Sequence, residues 1–342
     1  MKQLLSSKKI SIIGITKGVL GDPEIANTMV KAGILFLGDS RIENIIKMRN
    51  ANISAKFILI RNPTLKEIPL IVSHTEISLN SELEVIQKLS DEAIRQNKVH
   101  GIILMVEMGD LREGIIPEDL TGLINNIIKL DSIKIRGIGT NLKCFGGVIP
   151  DEEKMTQFSK IAENIQKSMK LNFEFVSAGN SANLDWVNST NKVGAVNNLR
   201  LGTAIILGAG GILEEPILGL YQDAFTLIAE IVELKKKPFY PNGKITTNAF
   251  GEISVFGKNP QWREFKGSRN QALLNIGRQD IQETGLSPKD VNLEILGATS
   301  DYLVVDLKSN ESFKIGEKIQ FNLNYEALLR AMTSPYVSKV YI

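Results

Sequence analysis

The sequence predicts an α/β protein: an N-terminal TIM (β/α)8 barrel followed by a C-terminal all-β domain. Three observations carry this expectation. Eight short apolar runs alternate with mainly helical stretches over about 200 residues, the arithmetic of such a barrel. Past Glu214-Glu215-Pro216 the texture shifts to short β-like runs punctuated by glycine. The 342 residues are enough for one large domain and one smaller one, divided here as 1–220 and 221–342.

The predicted barrel strands are 10–16, 34–37, 56–60, 76–79, 101–107, 133–140, 173–177 and 198–201. Runs this short and this apolar read as strands buried on both faces. Helices are expected at 22–31, opened by Asp22-Pro23-Glu24, and at 82–97. Two more are expected at 117–129, opened by Pro117, and at 152–169, with acids in its first turn. Proline just inside a start and acids in the first turn both mark helix N-termini. The connection after 173–177 is the least clearly helical. A doubly wound sheet would also alternate, but it usually carries a Gly-rich turn after its first strand, and Thr16-Lys17-Gly18-Val19 is not one. In the second domain, strands are expected at 225–234, 252–256, 293–297 and 302–307, with one short helix at 323–332.

Composition narrows the class. Hydrophobic content of 43% and charged content of 23% are those of a water-soluble globular enzyme. A net charge of +2 gives no field for nucleic acid or an acidic membrane. The one cysteine, Cys144, excludes an internal disulfide framework, and two histidines, His74 and His100, are too few for a Cys/His zinc site. No run is long and apolar enough to span a bilayer, so a cytoplasmic protein is expected.

The first strand ends in Lys17-Gly18. A lysine at the mouth of a core meets desolvation, which lowers its pKa and makes the amine a nucleophile suited to a Schiff base. The plainer reading is a strand cap that snorkels to solvent. The other strand ends decide between them, because barrel chemistry collects at the C-terminal face. There stand Asn80-Ser81, the Glu107–Gly114 run with Asp110 and Arg112, Thr140-Asn141, Asn180-Ser181, and Arg200-Leu201-Gly202-Thr203. Glycine beside Ser and Thr at the ends of strands 7 and 8 suits a phosphate group. With a lysine opposite, the set points to pyridoxal 5'-phosphate. An arginine such as Arg200 facing the pyridine nitrogen keeps that nitrogen unprotonated, which favours simple proton removal and return at Cα. Cys144, just past strand 6, reads as a small buried hydrophobe in preference to a base. Asp110 and Glu113 read as partners of Arg112, or as acceptors for the distal amine of a basic substrate.

These residues resemble a known family. Ile15-Thr16-Lys17, Asp110-Leu111-Arg112-Glu113-Gly114, Gly179-Asn180-Ser181 and Asn198-Leu199-Arg200-Leu201-Gly202 are similar to the fold-type III pyridoxal-phosphate enzymes of the alanine racemase superfamily. Asp39-Ser40-Arg41-Ile42-Glu43-Asn44, Ser78–Leu83, Gly277-Arg278-Gln279-Asp280 and Glu294–Asp301 resemble its ornithine racemase-like branch. The resemblance spans essentially the whole chain. It implies a racemase with a head-to-tail homodimer in which each β-domain helps close the partner's site. It implies that Lys17 carries the cofactor, Arg200 faces the ring nitrogen, and Ser181, Gly202 and Thr203 hold the phosphate, with Tyr336 an added phenol donor. It also places Arg112 near the cofactor phenolate and substrate carboxylate, and Asn141 beside the ring.

Two departures stand out. Where alanine racemases carry a tyrosine base, this chain has Arg278, a poor proton shuttle because its pKa stays above about 12. The second base is then sought among Asp280, Asp301, Tyr325, Tyr336 and Cys144. Ahead of the lysine strand, where relatives have a strand and a helix, only Lys2–Ser7 stands, which reads as the tail of that helix. The implied activity is interconversion of L- and D-amino acids, with ornithine or another basic amino acid as substrate. Two alternatives stand beside it. One is a D-amino-acid lyase or aldolase, which typically adds a metal site. The other is a non-catalytic pyridoxal-phosphate homeostasis protein, usually a barrel alone.

Overall fold

The computed structural model describes residues 1–289, 291–308 and 312–342. Contacts divide the chain into two compact units, Met1–Gln222 and Asp223–Ile342.

In the first unit eight parallel strands close into a barrel in sequence order. They are β1 Ser11–Ile15, β2 Phe36–Asp39, β3 Lys56–Leu59, β4 Ile77–Asn80, β5 His100–Met105, β6 Ile133–Gly139, β7 Phe175–Ser177 and β8 Asn198–Leu201. The expected barrel is therefore present, with each strand within two residues of its predicted limits. β1 closes the ring against β8, Ile13 standing opposite Arg200 and Gly14 opposite Leu201. Side chains alternate along a strand, so residues two apart share a face. Ile13, Ile15, Ile58, Ile77, Leu79, Ile103, Met105 and Phe175 form one buried cluster at that spacing, with Phe36 packed on it. Phe36 meets Phe175 edge to face, centroids 5.2 Å apart. Apolar residues thus make up this cluster, while buried Asn198, at the start of β8, accepts from Ser177 Oγ at 2.7 Å.

Helix starts follow the sequence signals. Asp22 accepts from the N–H of Glu24 and Ile25 at 3.1 and 3.2 Å and opens Pro23–Lys31. Asp151 accepts from Lys154 N–H at 2.9 Å and opens Glu152–Met169. The helix opened by Pro117 begins later than expected, at Leu120, and ends at Ile127. After β7 the chain makes a 3₁₀ turn at Ser181–Asn183 and a helix of six residues, Leu184–Ser189. No described helix is long and apolar enough to cross a membrane.

The second unit is built on a six-stranded antiparallel sheet. Its order is Leu286–Pro288, Lys318–Leu323, Leu227–Pro238, Ser268–Leu274, Leu303–Asp306, Glu294–Ala298. Leu227, Ile231, Leu274, Val305 and Phe321 are among its buried core. The expected strand at 252–256 is not formed. Ser254 caps the turn Val255–Lys258 by accepting from Gly257 N–H at 3.2 Å, so an apolar run coils where it was expected to extend. Strands Ser268–Leu274, Leu286–Pro288 and Lys318–Leu323 were not expected. In the last, Ile319 and Phe321 face the core while Lys318 and Gln320 face solvent, so only every second residue is apolar.

Candidate active site

Lys17 follows β1 by two residues and begins a 3₁₀ turn over Lys17–Val19. It stands just past the end of β1, which places it at the C-terminal mouth of the barrel. Its side chain is exposed, and its ammonium has no partner among the described residues. This corrects the expectation of a desolvated lysine: the 3₁₀ turn carries the amine out of the core. What fixes Lys17 is its neighbour. Thr16 is fully buried, with its hydroxyl donating to Asp39 Oδ2 at 2.7 Å and its N–H bound to Gly38 O at 2.9 Å. Asp39 also accepts from Arg41 N–H and Asn44 Nδ2 at 2.9 and 3.0 Å. Burial raises the Asp39 carboxyl above the ordinary range, with those hydrogen bonds opposing the rise. The Thr16–Asp39 tie was not singled out from the sequence. A hydroxyl and an acid at adjacent strand ends was its only signal.

Arg200 lies on the inward face of β8 and is 5% exposed, which makes it a buried cation and not a surface ion pair. Nη1 donates to Ser177 Oγ and Ser177 O at 2.8 and 3.2 Å. Nη2 donates to Thr140 O at 2.7 Å and to Asn141 Oδ1 at 3.3 Å. Burial lowers its pKa to about 10, with Glu113 opposing the shift and Arg112 adding to it, so it remains a donor at neutral pH.

Asn141 links this cation to the next loop. Its Oδ1 also accepts from Asn180 Nδ2, at 3.1 Å. Asn180 in turn caps the Ser181–Asn183 turn, accepting from Ala182 N–H at 2.8 Å, while Asn183 Oδ1 accepts from Asn180 N–H at 3.0 Å. Gly179 takes a φ of +140°, and a Cβ there would lie 2.2 Å from Asn183 Oδ1. Ser181 Oγ accepts from Ala204 N–H at 3.2 Å, which brings the β7 loop onto Gly202-Thr203. The hydroxyl proton of Ser181 stays available for an anion.

The loops after β5 and β6 complete the rim. Arg112 forms a forked ion pair with its own neighbour Glu113, and its Nη1 lies 2.8 Å from Cys144 Sγ. Cys144 is exposed, contrary to the reading of a buried hydrophobe, because its loop folds outward over Asp110. Asp110 does not pair with Arg112. It is buried, and its carboxylate accepts from the N–H groups of Cys144, Phe145 and Val148 at 3.2, 2.8 and 3.3 Å. Burial pushes its pKa up, but those amides outweigh it and hold the carboxyl below the ordinary range.

Within the second unit, Arg278, Asp280, Asp301 and Tyr336 gather at one end of the sheet. Gly277 permits this: a Cβ would stand 2.2 Å from Ser300 O. Arg278 N–H donates to Thr299 O at 2.9 Å and Gln279 Nε2 to Asp301 Oδ1 at 2.7 Å. Ser334 Oγ donates to Asp280 Oδ1 at 2.6 Å and accepts from Tyr336 N–H at 3.1 Å. Arg278 is ion-paired to both Glu252 and Glu283 and lies 4.4 Å above the Phe250 ring. Asp301 and Tyr336 are exposed.

Residues 1–209 match the family model described as alanine racemase, N-terminal domain. The chain is 39% identical over 327 residues to the ornithine racemase of Acetoanaerobium sticklandii, covering 95% of this chain and 90% of that protein. The chain belongs to the alanine racemase family. It is also 37% identical over 339 residues to the lysine racemase of Thermotoga maritima, covering 99% of this chain and 93% of that one. Among solved structures, the alanine racemase of Streptomyces lavendulae superposes with a TM-score of 0.73 at 17% identity, over 96% of this chain and 91% of that one. The D-threonine aldolase of Filomicrobium marinum gives 0.72 at 13%, over 97% and 84%. At such identities these two structures speak for the fold alone. Enzymes of the alanine racemase family depend on pyridoxal phosphate.

Proposed function

We propose that this protein is a pyridoxal-phosphate-dependent racemase of basic amino acids such as ornithine and lysine. The observation that carries the reading is one rim holding an unpartnered Lys17, a buried Arg200, and the Ser181 and Gly202-Thr203 loop ends. Two racemases of basic amino acids match nearly the full chain and support the substrate class.

The donor set fits the cofactor. Lys17 offers a free amine. Ser181, Gly202 and Thr203 offer hydroxyl and amide protons to a phosphate at the ends of β7 and β8. Asn180 and Asn141 hold that loop against Arg200, which presents a donor that cannot act as an acid at neutral pH. Bound pyridoxal phosphate supplies the electron-withdrawing ring that makes the Cα proton of an amino acid removable. Lys17 takes or returns that proton on one face of Cα. Arg112 receives the substrate carboxylate.

A head-to-tail homodimer would bring the partner's β-domain to the opposite face, with Arg278, Asp280, Asp301 and Tyr336 as the residues that approach it. Of these, Asp301 and Tyr336 are the exposed proton-transferring side chains. Incubating the loaded protein with single enantiomers of ornithine or lysine in deuterium oxide tests the reading. A racemase yields the antipode with deuterium at Cα. An oxo product, or no exchange with any amino acid, would overturn it.

A further inference from the structure

Three acids, Glu107, Asp110 and Glu113, stand within residues 107–113 after β5, and the structure gives the first two fixed backbone duties. Glu107 Oε1 accepts from the N–H groups of Gly109 and Leu111 and so caps its own loop. Asp110 is buried beneath the N–H groups of Cys144, Phe145 and Val148. Neither can turn to a ligand without unfolding backbone. Asp119 stands just before the helix Leu120–Ile127, beyond the loop. Glu113 differs from all of these, because its partner is a side chain, Arg112, and a side-chain pair can be exchanged.

The position of the pair matters as much as its chemistry. Arg112 Nη1 reaches Cys144 Sγ at 2.8 Å, three residues past Asn141, whose Oδ1 accepts from Arg200, so the pair touches the same β6 loop as that buried cation. The Glu113 side chain is 18% exposed and that of Arg112 34%. Adjacent residues folded into a forked ion pair neutralise each other. A neutral amino acid that takes Arg112 with its carboxylate would strand Glu113 half-buried and unpaired, which is costly. An amino acid with a second, distal ammonium would replace both partners at once.

We infer that Glu113 is the specificity-determining residue of this site: the substrate carboxylate takes Arg112, and the distal ammonium takes Glu113 in its place. The inference rests on the racemase reading above and adds to it the group that selects basic side chains.

The test compares the loaded wild-type enzyme with Glu113→Gln, using lysine, ornithine and the neutral isostere norleucine. The expected result is a fall in kcat/KM for lysine and ornithine, relative to norleucine, of about 10- to 100-fold, the loss of one charge-assisted hydrogen bond. Glu113→Asp should fall between the two, and it keeps the test available if the Gln variant folds poorly. Binding is read separately by calorimetry on borohydride-reduced protein, which cannot turn over; there the Gln variant should lose affinity for lysine and not for norleucine. An equal loss for all three amino acids would make Glu113 a mere support for Arg112 and overturn the inference, as would no change. If the wild type turns over no amino acid, the racemase reading itself fails, which is a distinct result.

Discussion

Arg200 Nη2 donates to the Thr140 carbonyl at 2.7 Å while Nη1 donates to Ser177 Oγ at 2.8 Å, so one buried guanidinium ties β8 to β6 and β7. A cation beside a buried cluster of Ile, Leu, Met and Phe is tolerated only because every bond it makes reaches an oxygen. Arg200→Ala should therefore lower stability by about 1–3 kcal/mol, because buried acceptors are left unpaired. Arg200→Lys keeps the charge and loses the fork, and should recover part of it. Denaturant unfolding of both variants checks this.

Acid should unfold the protein in two windows. Burial, with Lys98 nearby, lowers the His100 pKa to about 4, against an ordinary value of about 6.5. The folded state keeps this histidine neutral, so its contribution is intact above pH of about 6.5 and is lost as pH falls toward about 4. The size is on the order of 3 kcal/mol. Asp110 is depressed, so its contribution is intact above the unfolded carboxyl range and is lost only at still lower pH, as its folded pKa is crossed. His100→Gln should flatten the stability curve between pH of about 6.5 and about 4 and leave the lower limb unchanged. Urea titrations across that range give the answer.

Much of the barrel was legible because its signal is local. Each strand is a short apolar run, and Asp22-Pro23 and Asp151-Glu152 announce their helices directly. The second unit was harder. Lys318–Leu323 buries only alternate residues, and Ser254 turns an apolar run into a helical turn through one hydroxyl. Residue types at strand ends put Lys17, Arg200 and Ser181 at one end of the barrel from the sequence, and the structure has Lys17 just past β1, Arg200 within β8 and Ser181 in the turn after β7. The partnerships were not legible. That Asp110 binds backbone while Glu113 binds Arg112, and that Cys144 faces outward, depends on how two loops fold across each other.

Arg278 anchors its loop through two carboxylates, and the Glu283 side chain is only 7% exposed. Arg278→Ala should leave that acid buried without a counter-charge and destabilise the second unit by about 3–5 kcal/mol. Arg278→Lys should be milder, since it keeps one ion pair and loses the fork and much of the contact with Phe250. Thermal unfolding of the two variants separates these outcomes. The same ion pairs make Arg278 a support of this loop and not a proton carrier.

The account stands or falls on Lys17. Purified protein loaded with pyridoxal phosphate, reduced with borohydride and digested, should carry the pyridoxyl group on Lys17, and Lys17→Ala should carry none and lose at least about a thousandfold in turnover, the scale expected when a proton-transfer group is removed. A pyridoxyl group on another residue, or none despite excess cofactor, would contradict it.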